Sequence, residues 1–372
     1  MATIGLEATR ASKQQKTGTE WYAWHIIKQL TSIDRNNQYR IYFKDHLDPD
    51  LLSVNNNVKF ISLPWVGKKL WTNLRLSWEL LLRPVDVFLS VNSVPFFGLR
   101  KLIVVIHDLG FYREPQLYQP LERWFHKFEH RIMLAKADRI IAVSENTKKD
   151  IGYYFPQYLP KVTVILNGFD HTVFQPLSSE QIELAKKRFG LPVNYLLYIG
   201  RIETKKNILY LVKSFSQTMA EHDWHLLLAG RPGNYGYQEV VDYICLHKID
   251  NRIHLLGYLD NEKYHQLLAA ASIFVFPTKF EGFGIPVIEA LSCGVPVLCS
   301  DLPVLQEVAG TAAEYFSLKD ENSLANKINF LINHEEKREQ LRQLSRGQAS
   351  KYSWHQCAQA MQEQIRLLVD KS

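Results

Sequence analysis

Phe280-Glu281-Gly282-Phe283-Gly284-Ile285-Pro286-Val287-Ile288-Glu289-Ala290-Leu291-Ser292-Cys293-Gly294 sets two carboxylates at either end of a glycine-rich turn that opens a helix. Ahead of it, Ile273-Phe274-Val275-Phe276 followed by Pro277 reads as a short buried strand. Pro286 suits the first helical position, where its missing N–H is no loss, and Gly294 suits the C-terminal cap. Gly282 and Gly284 let the backbone approach a ligand and turn N–H groups toward it, while the helix start adds a partial positive charge that attracts an anion. Glu281 and Glu289 then remain as acceptors for hydroxyl groups. An acidic pair beside an anion-attracting turn fits a ligand that presents a diphosphate and two sets of hydroxyls together, as a nucleotide sugar does. The plainer alternative for this pattern alone is a strand, turn and helix whose Glu residues face solvent.

Outward from this stretch, strand-like runs alternate with helical patterns along the whole chain, which predicts an α/β fold with parallel sheets. Strands are expected at residues 3–7, 39–43, 58–61, 85–89, 102–106, 139–143 and 162–165, then at 195–199, 225–229, 253–255, 273–276, 297–299 and 313–316. That is one sheet per half. The predicted organisation is a domain over 1–172, a polar linker over 173–190, a second domain over 191–352 and a terminal helical segment over 353–372. In the linker, Ser178-Ser179 can cap a following helix. Trp71, Leu74, Trp78, Leu81 and Leu82 fall at helical spacing, and their apolar face reads as core. Lys68, Lys69, Arg75 and Arg83 around it keep a membrane-surface reading open.

The 372 residues, 46% of them hydrophobic, suffice for two sizeable cores. Cys245, Cys293, Cys299 and Cys357 show no paired or metal-like spacing, so they read as reduced thiols of a cytoplasmic chain. Strand-like sequence begins at Thr3, leaving no room for a signal peptide, and no apolar run reaches the roughly 18 residues of a membrane span. Residues 1–172 hold 23 Lys/Arg against 16 Asp/Glu, and the remainder holds 21 against 22, so the excess charge lies in the first half. Six of the eight tryptophans lie there too. A basic, aromatic half suggests an anionic acceptor or lipid headgroups, with peripheral association at the inner face of a membrane. No nucleic-acid motif accompanies the charge. Asp48-Pro49-Asp50 mimics an Asp-x-Asp metal site but reads as a turn. Gly230, Gly233 and Gly236 lack the spacing of a dinucleotide-binding loop, which argues against an oxidoreductase.

Five short strings occur in one register: Ile106-His107-Asp108, Ala142-Val143-Ser144-Glu145, Leu166-Asn167-Gly168-Phe169-Asp170, Tyr198-Ile199-Gly200-Arg201 with Lys205-Lys206-Asn207, and the Glu-x7-Glu segment with Gly294-Val295-Pro296-Val297. Together they resemble the family-four retaining glycosyltransferases, which have the GT-B architecture of two facing Rossmann-like domains and a last helix that crosses back to the first. The likeness is greatest to bacterial polysaccharide mannosyltransferases. It implies transfer of a hexosyl group from a nucleotide-diphospho-sugar, GDP-mannose first and a UDP-sugar next, to a glycan or lipid-linked acceptor. It also implies that Arg201 and Lys206 contact the diphosphate, Glu281 and His107 the transferred sugar, and Glu289 the ribose.

Gly18, in Thr17-Gly18-Thr19-Glu20, resembles the family's phosphate loop, with Thr17 where a first glycine often stands. Gly282, Phe283 and Gly284 would line the donor, and Tyr258 and Leu259 match the base-recognition region loosely. Arg201 and Lys206 supply cations in the loop after a strand, an arrangement that can serve in place of a metal ion, so no metal and no cofactor is expected. The rival readings are a nucleotide-sugar epimerase of the same architecture and a degenerate, non-catalytic nucleotide-sugar-binding subunit.

Overall fold

A computed structural model describes residues 1–52, 55–67 and 70–370, and the chain divides into two compact units. The first comprises Met1–Gly168 and Ser353–Ser372, the second Phe169–Tyr352. The first unit is built on seven strands: β1 (Thr3–Glu7), β2 (Gln38–Phe43), β3 (Val58–Ser62), β4 (Val87–Ser90), β5 (Leu102–Ile106), β6 (Arg139–Ala142) and β7 (Val162–Val164). They lie in the order β3-β2-β1-β4-β5-β6-β7, with every neighbouring pair parallel. β5 is buried throughout, because helices cover both faces of a parallel sheet; this is why Leu102 to Ile106 reads as unbroken apolar sequence rather than as alternation.

The terminal helix Trp354–Val369 belongs to this first unit. It lies against the helix Gly18–Ile33, with the Trp354 ring stacked on His25 at 4.8 Å and edge-on to Tyr22 at 5.6 Å. The chain passes close by at Gly168, where a Cβ would meet the Trp354 nitrogen at 2.0 Å, so only glycine fits.

The segment from Trp71 to Leu82 corrects the expectation of a core-facing stripe. Trp71 begins a wide turn, Trp71–Leu76, that runs into the short helix Ser77–Leu82. The wider turn rotates the register, so Trp71, Leu76 and Leu80 are buried while Trp78, Leu81 and Leu82 are 56, 52 and 74% exposed. Glu79 takes a buried place on the inner side and is paired at its rim with Arg75 and Arg83. Lys68 and Lys69 lie outside the described residues. Asp48-Pro49-Asp50 is a turn, as its Pro and paired Asp predict: the Asp48 carboxylate accepts the Asp50 N–H and pairs with Lys16 at 2.5 Å.

The second unit carries β8 (Tyr195–Ile199), β9 (His225–Ala229), β10 (Ile253–Gly257), β11 (Ile273–Phe276), β12 (Val297–Ser300) and β13 (Ala313–Phe316) in the order β10-β9-β8-β11-β12-β13, again all parallel. In each unit the order runs outward from the first strand and then reverses, so one switch point falls between β1 and β4 and the other between β8 and β11. Open sheets of this kind bind ligands beyond the carboxyl ends of the strands at the switch.

Residues 173–190, read from sequence as a linker, are integral to this unit. Phe174 is buried edge-on to Tyr264, its carbonyl accepts the Ser292 hydroxyl at 2.6 Å, and residues Ser179–Phe189 form a helix capped by Ser178. Polar composition marked the surface of that helix and concealed its apolar anchors, Phe174 just ahead of it and Ala185 within it.

Candidate active site

The switch point of the second unit is where the Glu-x7-Glu segment and the cationic loop meet. β8 ends at Ile199, and the following residues turn through Gly200 and Arg201 into a single helical turn, Thr204–Lys206. β11 ends at Phe276 and leads into Thr278–Glu281. The two loops are sewn together at the Lys205 carbonyl, which accepts the Lys279 N–H at 3.0 Å and the Thr278 hydroxyl at 3.4 Å. This stitching delivers Lys206 to Glu281, whose Oε1 accepts from the Lys206 ammonium. Both side chains are largely shielded, and the ammonium also lies 5.5 Å from the Phe276 ring. Arg201 is more open and reaches Glu203 at 3.6 Å, an exposed pair of small energetic value that leaves the guanidinium available.

The helix Ile285–Ser292 starts on Gly284, whose φ of +108° is a left-handed conformation that suits glycine, and Pro286 occupies its first turn. It stops where the sequence predicts: Gly294 at φ +71° donates to the Leu291 carbonyl while the Val295 N–H reaches Ala290. Gly282 and Phe283 are buried in the turn, and Phe283 packs edge-on to Tyr352. One turn into the helix stands Glu289, with Oε2 accepting from the Tyr264 hydroxyl. Burial raises the Glu289 carboxyl to about 7, the Tyr264 hydrogen bond acts against that rise, and Asp170 adds to it. Burial and the adjacent carboxyl push the Tyr264 hydroxyl well above its usual value, so it stays a donor.

Tyr258 and Leu259 follow β10. Leu259 is buried, so it shapes the wall, whereas Tyr258 is half-exposed with the Arg231 guanidinium over its ring at 4.9 Å. Arg231 and Tyr264 are functional candidates that sequence reading missed. Arg231 could have been suspected from its place just beyond β9, but nothing local ties Tyr264, on the helix Asn261–Ala269, to a carboxyl 25 residues away.

In the first unit, His107 follows β5 at its carboxyl end and is mostly enclosed. Its Nε2 is 3.0 Å from the Val91 carbonyl, and the ring meets Tyr22 edge-on at 4.8 Å. Burial lowers its pKa to about 4, against the opposing pull of that carbonyl and of Asp108. The ring is therefore neutral near pH 7, with Nε2 donating to Val91 and Nδ1 an acceptor. Asp108 is turned to its own loop, accepting the Gly110 N–H at 2.8 Å.

Gly18 opens the helix Gly18–Ile33, but the Glu20 carboxylate folds back onto the Thr17 N–H at 2.9 Å and pairs with Lys13 at 2.5 Å. That end already carries an anion of its own. A Cβ at Gly18 would meet nothing within 4 Å, so the fold itself does not require glycine there.

Comparison with known proteins places these features. Residues 16–173 match the family described as Glycosyltransferase Family 4, and residues 179–348 match Glycosyl transferases group 1. The chain is 28% identical over 265 residues to the O-antigen chain mannosyltransferase B of Escherichia coli, covering 70% of this chain and 68% of that one. It is 26% identical over 293 residues to the serotype-specific mannosyltransferase WbdA of the same organism, of whose length it spans 35%. Among solved structures, a sucrose-phosphate synthase from Thermosynechococcus elongatus superposes with a TM-score of 0.82 at 19% identity, covering 100% of both chains. HepE of Anabaena, in complex with UDP and glucose, does so with a TM-score of 0.78 at 19% identity, covering 98% of this chain and 100% of that one. Two matched halves, two reversed parallel sheets and a Glu-x7-Glu turn at a switch point agree: this chain belongs to the family-four glycosyltransferases of GT-B fold.

Proposed function

We propose that the protein is a retaining hexosyltransferase that takes its sugar from a nucleotide-diphospho-sugar held by the second unit, without a metal ion or other cofactor. The observation that carries this reading is the Lys206–Glu281 pair at the β8/β11 switch, beside a helix start that attracts anions and a second carboxyl, Glu289, one turn on. As the anomeric bond breaks, negative charge grows on the diphosphate. Lys206 and Arg201 are the cations positioned to neutralise it, Arg201 as a fork and Lys206 as a compact charge. Glu281, which steers Lys206, would accept hydroxyls of the transferred hexose. Glu289, with one oxygen engaged by Tyr264, would offer the other to the ribose. Gly282, Phe283 and Gly284 form the turn against which the donor would lie, Tyr258 and Leu259 flank the base, and Gly18 offers an N–H at the start of its helix. His107, neutral at physiological pH, would accept from a sugar hydroxyl through Nδ1.

A mannosyl donor carried on GDP is favoured by the O-antigen mannosyltransferase relatives, and a UDP-sugar is next, in keeping with the UDP and glucose bound in the HepE complex. The acceptor is a glycan or a lipid-linked glycan. The cationic excess of residues 1–172 supports an anionic, lipid-linked one reached by peripheral association with the inner face of a membrane. The test is a thermal-shift panel of GDP-mannose, UDP-glucose and UDP-N-acetylglucosamine, followed by transfer in EDTA. GDP-mannose should raise Tm most, by mass action on the folded state. The product should keep the donor's anomeric configuration. An inverted product, or turnover abolished by EDTA and restored by magnesium, would overturn the mechanism; interconversion of the sugar without transfer would favour the epimerase reading.

A further inference from the structure

We infer that a pocket on the first unit, walled by Arg113, Asp150, Tyr153 and Tyr154, is an outer subsite for an uncharged sugar residue of the acceptor glycan, set back from the residue that receives the hexose. The pocket, of about 460 Å³, is also lined by Lys149 and is of the size that small ligands occupy. Four of its five residues come from the helix Glu145–Tyr154, which follows β6, and the fifth ends the short helix Gly110–Arg113, which follows β5.

Helical spacing builds the pocket. Lys149 and Tyr153 are four residues apart, as are Asp150 and Tyr154, so each charged side chain neighbours one ring. The two tyrosine rings meet edge-on at 4.9 Å with an interplanar angle of 88°, which makes a corner. Tyr154 is backed by the Tyr112 ring at 5.4 Å, and the Tyr112 hydroxyl is tied to the Lys127 carbonyl at 2.9 Å. Tyr153 is 81% exposed and presents its ring to solvent. Asp150 is almost wholly buried, and its Oδ1 accepts from the half-exposed Arg113 guanidinium at 2.5 Å. Its Oδ2 takes no hydrogen bond from the described residues. Burial raises the Asp150 carboxyl against the pull of Arg113, and nearby Asp108 adds to the rise, which sets the pocket beside the loop that follows β5. A buried carboxylate with one oxygen unused gains from a ligand that donates to it.

The lining selects the occupant. Arg113 and Lys149 can only donate, and an ionised Asp150 can only accept. An anion would meet the Asp150 carboxylate, and a cation would meet Arg113 and Lys149. Sugar hydroxyls both donate and accept, so neighbouring hydroxyls of one pyranose satisfy Asp150 Oδ2 and the two cations together. The apolar C–H face of the same ring lies on a tyrosine. Arg113 is six residues past His107, and at about 1.5 Å per residue Tyr153 lies roughly 12 Å along its helix from the end nearest the β6 terminus. That separation suits a residue further back in the glycan that ends at His107.

This subsite deepens the glycan-acceptor reading and rests on it for its purpose, but sugar binding without donor tests it. The full chain is titrated with disaccharides and tetrasaccharides of mannose, of glucose and of galactose, followed by ligand-detected NMR. For at least one sugar the tetrasaccharide is expected to bind about tenfold tighter than the disaccharide, as a second ring contact would give. Tyr153→Ala, at an exposed position, is expected to remove that advantage, and Asp150→Asn, which keeps the shape, to weaken the tetrasaccharide several-fold. Melting curves and calorimetry with GDP-mannose and UDP-glucose are run on the same samples, and those of Tyr153→Ala are expected to match wild type. A wild type with no oligosaccharide binding or no length advantage would overturn the inference, as would an advantage that survives in folded Tyr153→Ala or undiminished binding by folded Asp150→Asn. Inorganic phosphate that binds wild type and is lost with Arg113→Gln and Lys149→Gln would make this an anion site and overturn it too. A wild type that binds the tetrasaccharide through Tyr153 but no nucleotide sugar would sink the donor reading alone.

Discussion

The carboxyl ends of the two sheets hold titratable groups in opposite states. In the second unit the two carboxyls of the Glu-x7-Glu segment are already engaged, Glu281 by Lys206 and Glu289 by Tyr264, and burial holds Glu289 partly protonated near neutrality. In the first unit the corresponding position after β5 holds His107, kept neutral by burial and tied to a carbonyl. One end is a charged site that waits in its own ion pair; at the other the imidazole is uncharged. The difference matches the division of labour proposed above. A diphosphate needs fixed cations that cost little to reorganise, whereas a sugar hydroxyl needs only an oriented acceptor.

The sharpest way to break this comparison is to remove the cations. Lys206→Ala is expected to lower kcat by roughly 100- to 1000-fold, as loss of a preorganised electrostatic contact does. Arg201→Ala should follow at the lower end, since its guanidinium is the more exposed. Both variants should melt within a few degrees of wild type. Steady-state kinetics with near wild-type turnover in both would remove the leaving-group assignment.

The pH dependence of stability should have opposite signs in the two units. His107 takes up a proton in the unfolded chain near 6.5 but in the native state only near 4, so native stability falls as pH drops through that window, by up to about 3 kcal/mol. Glu289 runs the other way. Its carboxyl holds a proton up to about 7 when folded and only to 4.5 when unfolded, so stability falls as pH rises from 4.5 through 7, again by up to about 3 kcal/mol. Urea midpoints across pH 4 to 8 should show Glu289→Gln losing the descending limb and His107→Gln losing the acid limb. If both variants keep the wild-type slopes, neither group is titrating as described.

A smaller effect separates the two carboxyls. Glu289→Gln should weaken binding of the free nucleoside diphosphate and of the donor alike, by about tenfold, in keeping with the loss of one charge-assisted hydrogen bond. Glu281→Gln should lower donor turnover and leave the free nucleotide nearly untouched. Calorimetry with the reverse pattern would exchange their roles. The tighter donor binding should also gain affinity as pH rises through about 7, where Glu289 becomes a full acceptor.

The smallest expected effect on the fold is at Gly18. Open space around its Cβ position means that Gly18→Ala should change stability by less than about 1 kcal/mol, with helix propensity in its favour. A several-fold rise in a substrate KM on that background would report a ligand against the backbone; unchanged kinetics would take Gly18 out of the site.

Much of the molecule was legible in one dimension because the relevant physics is local. A buried parallel strand is apolar over four or five residues and a turn with positive φ favours glycine, so the thirteen strands among the described residues and the Gly284 and Gly294 boundaries could be read from the chain. The loops that carry Arg201, Lys206, Glu281 and Glu289 follow from those strands. Tertiary structure alone decided what each charge meets: Lys206 rather than Lys205 faces Glu281, because the Lys279 N–H and the Thr278 hydroxyl both bond to the Lys205 carbonyl and fix how the two loops lie. It also paired Tyr264 with Glu289 and drew residues 173–190 into the second unit through Phe174. Most of all it decided which apolar stripes are inside. Periodicity shows that a helix has an apolar face but not which neighbour covers it, and the stripes of Trp78, Leu81 and Leu82 and of Leu121, Trp124 and Phe128 lie on the outside because Leu80, Met133 and Leu134 take the inner places.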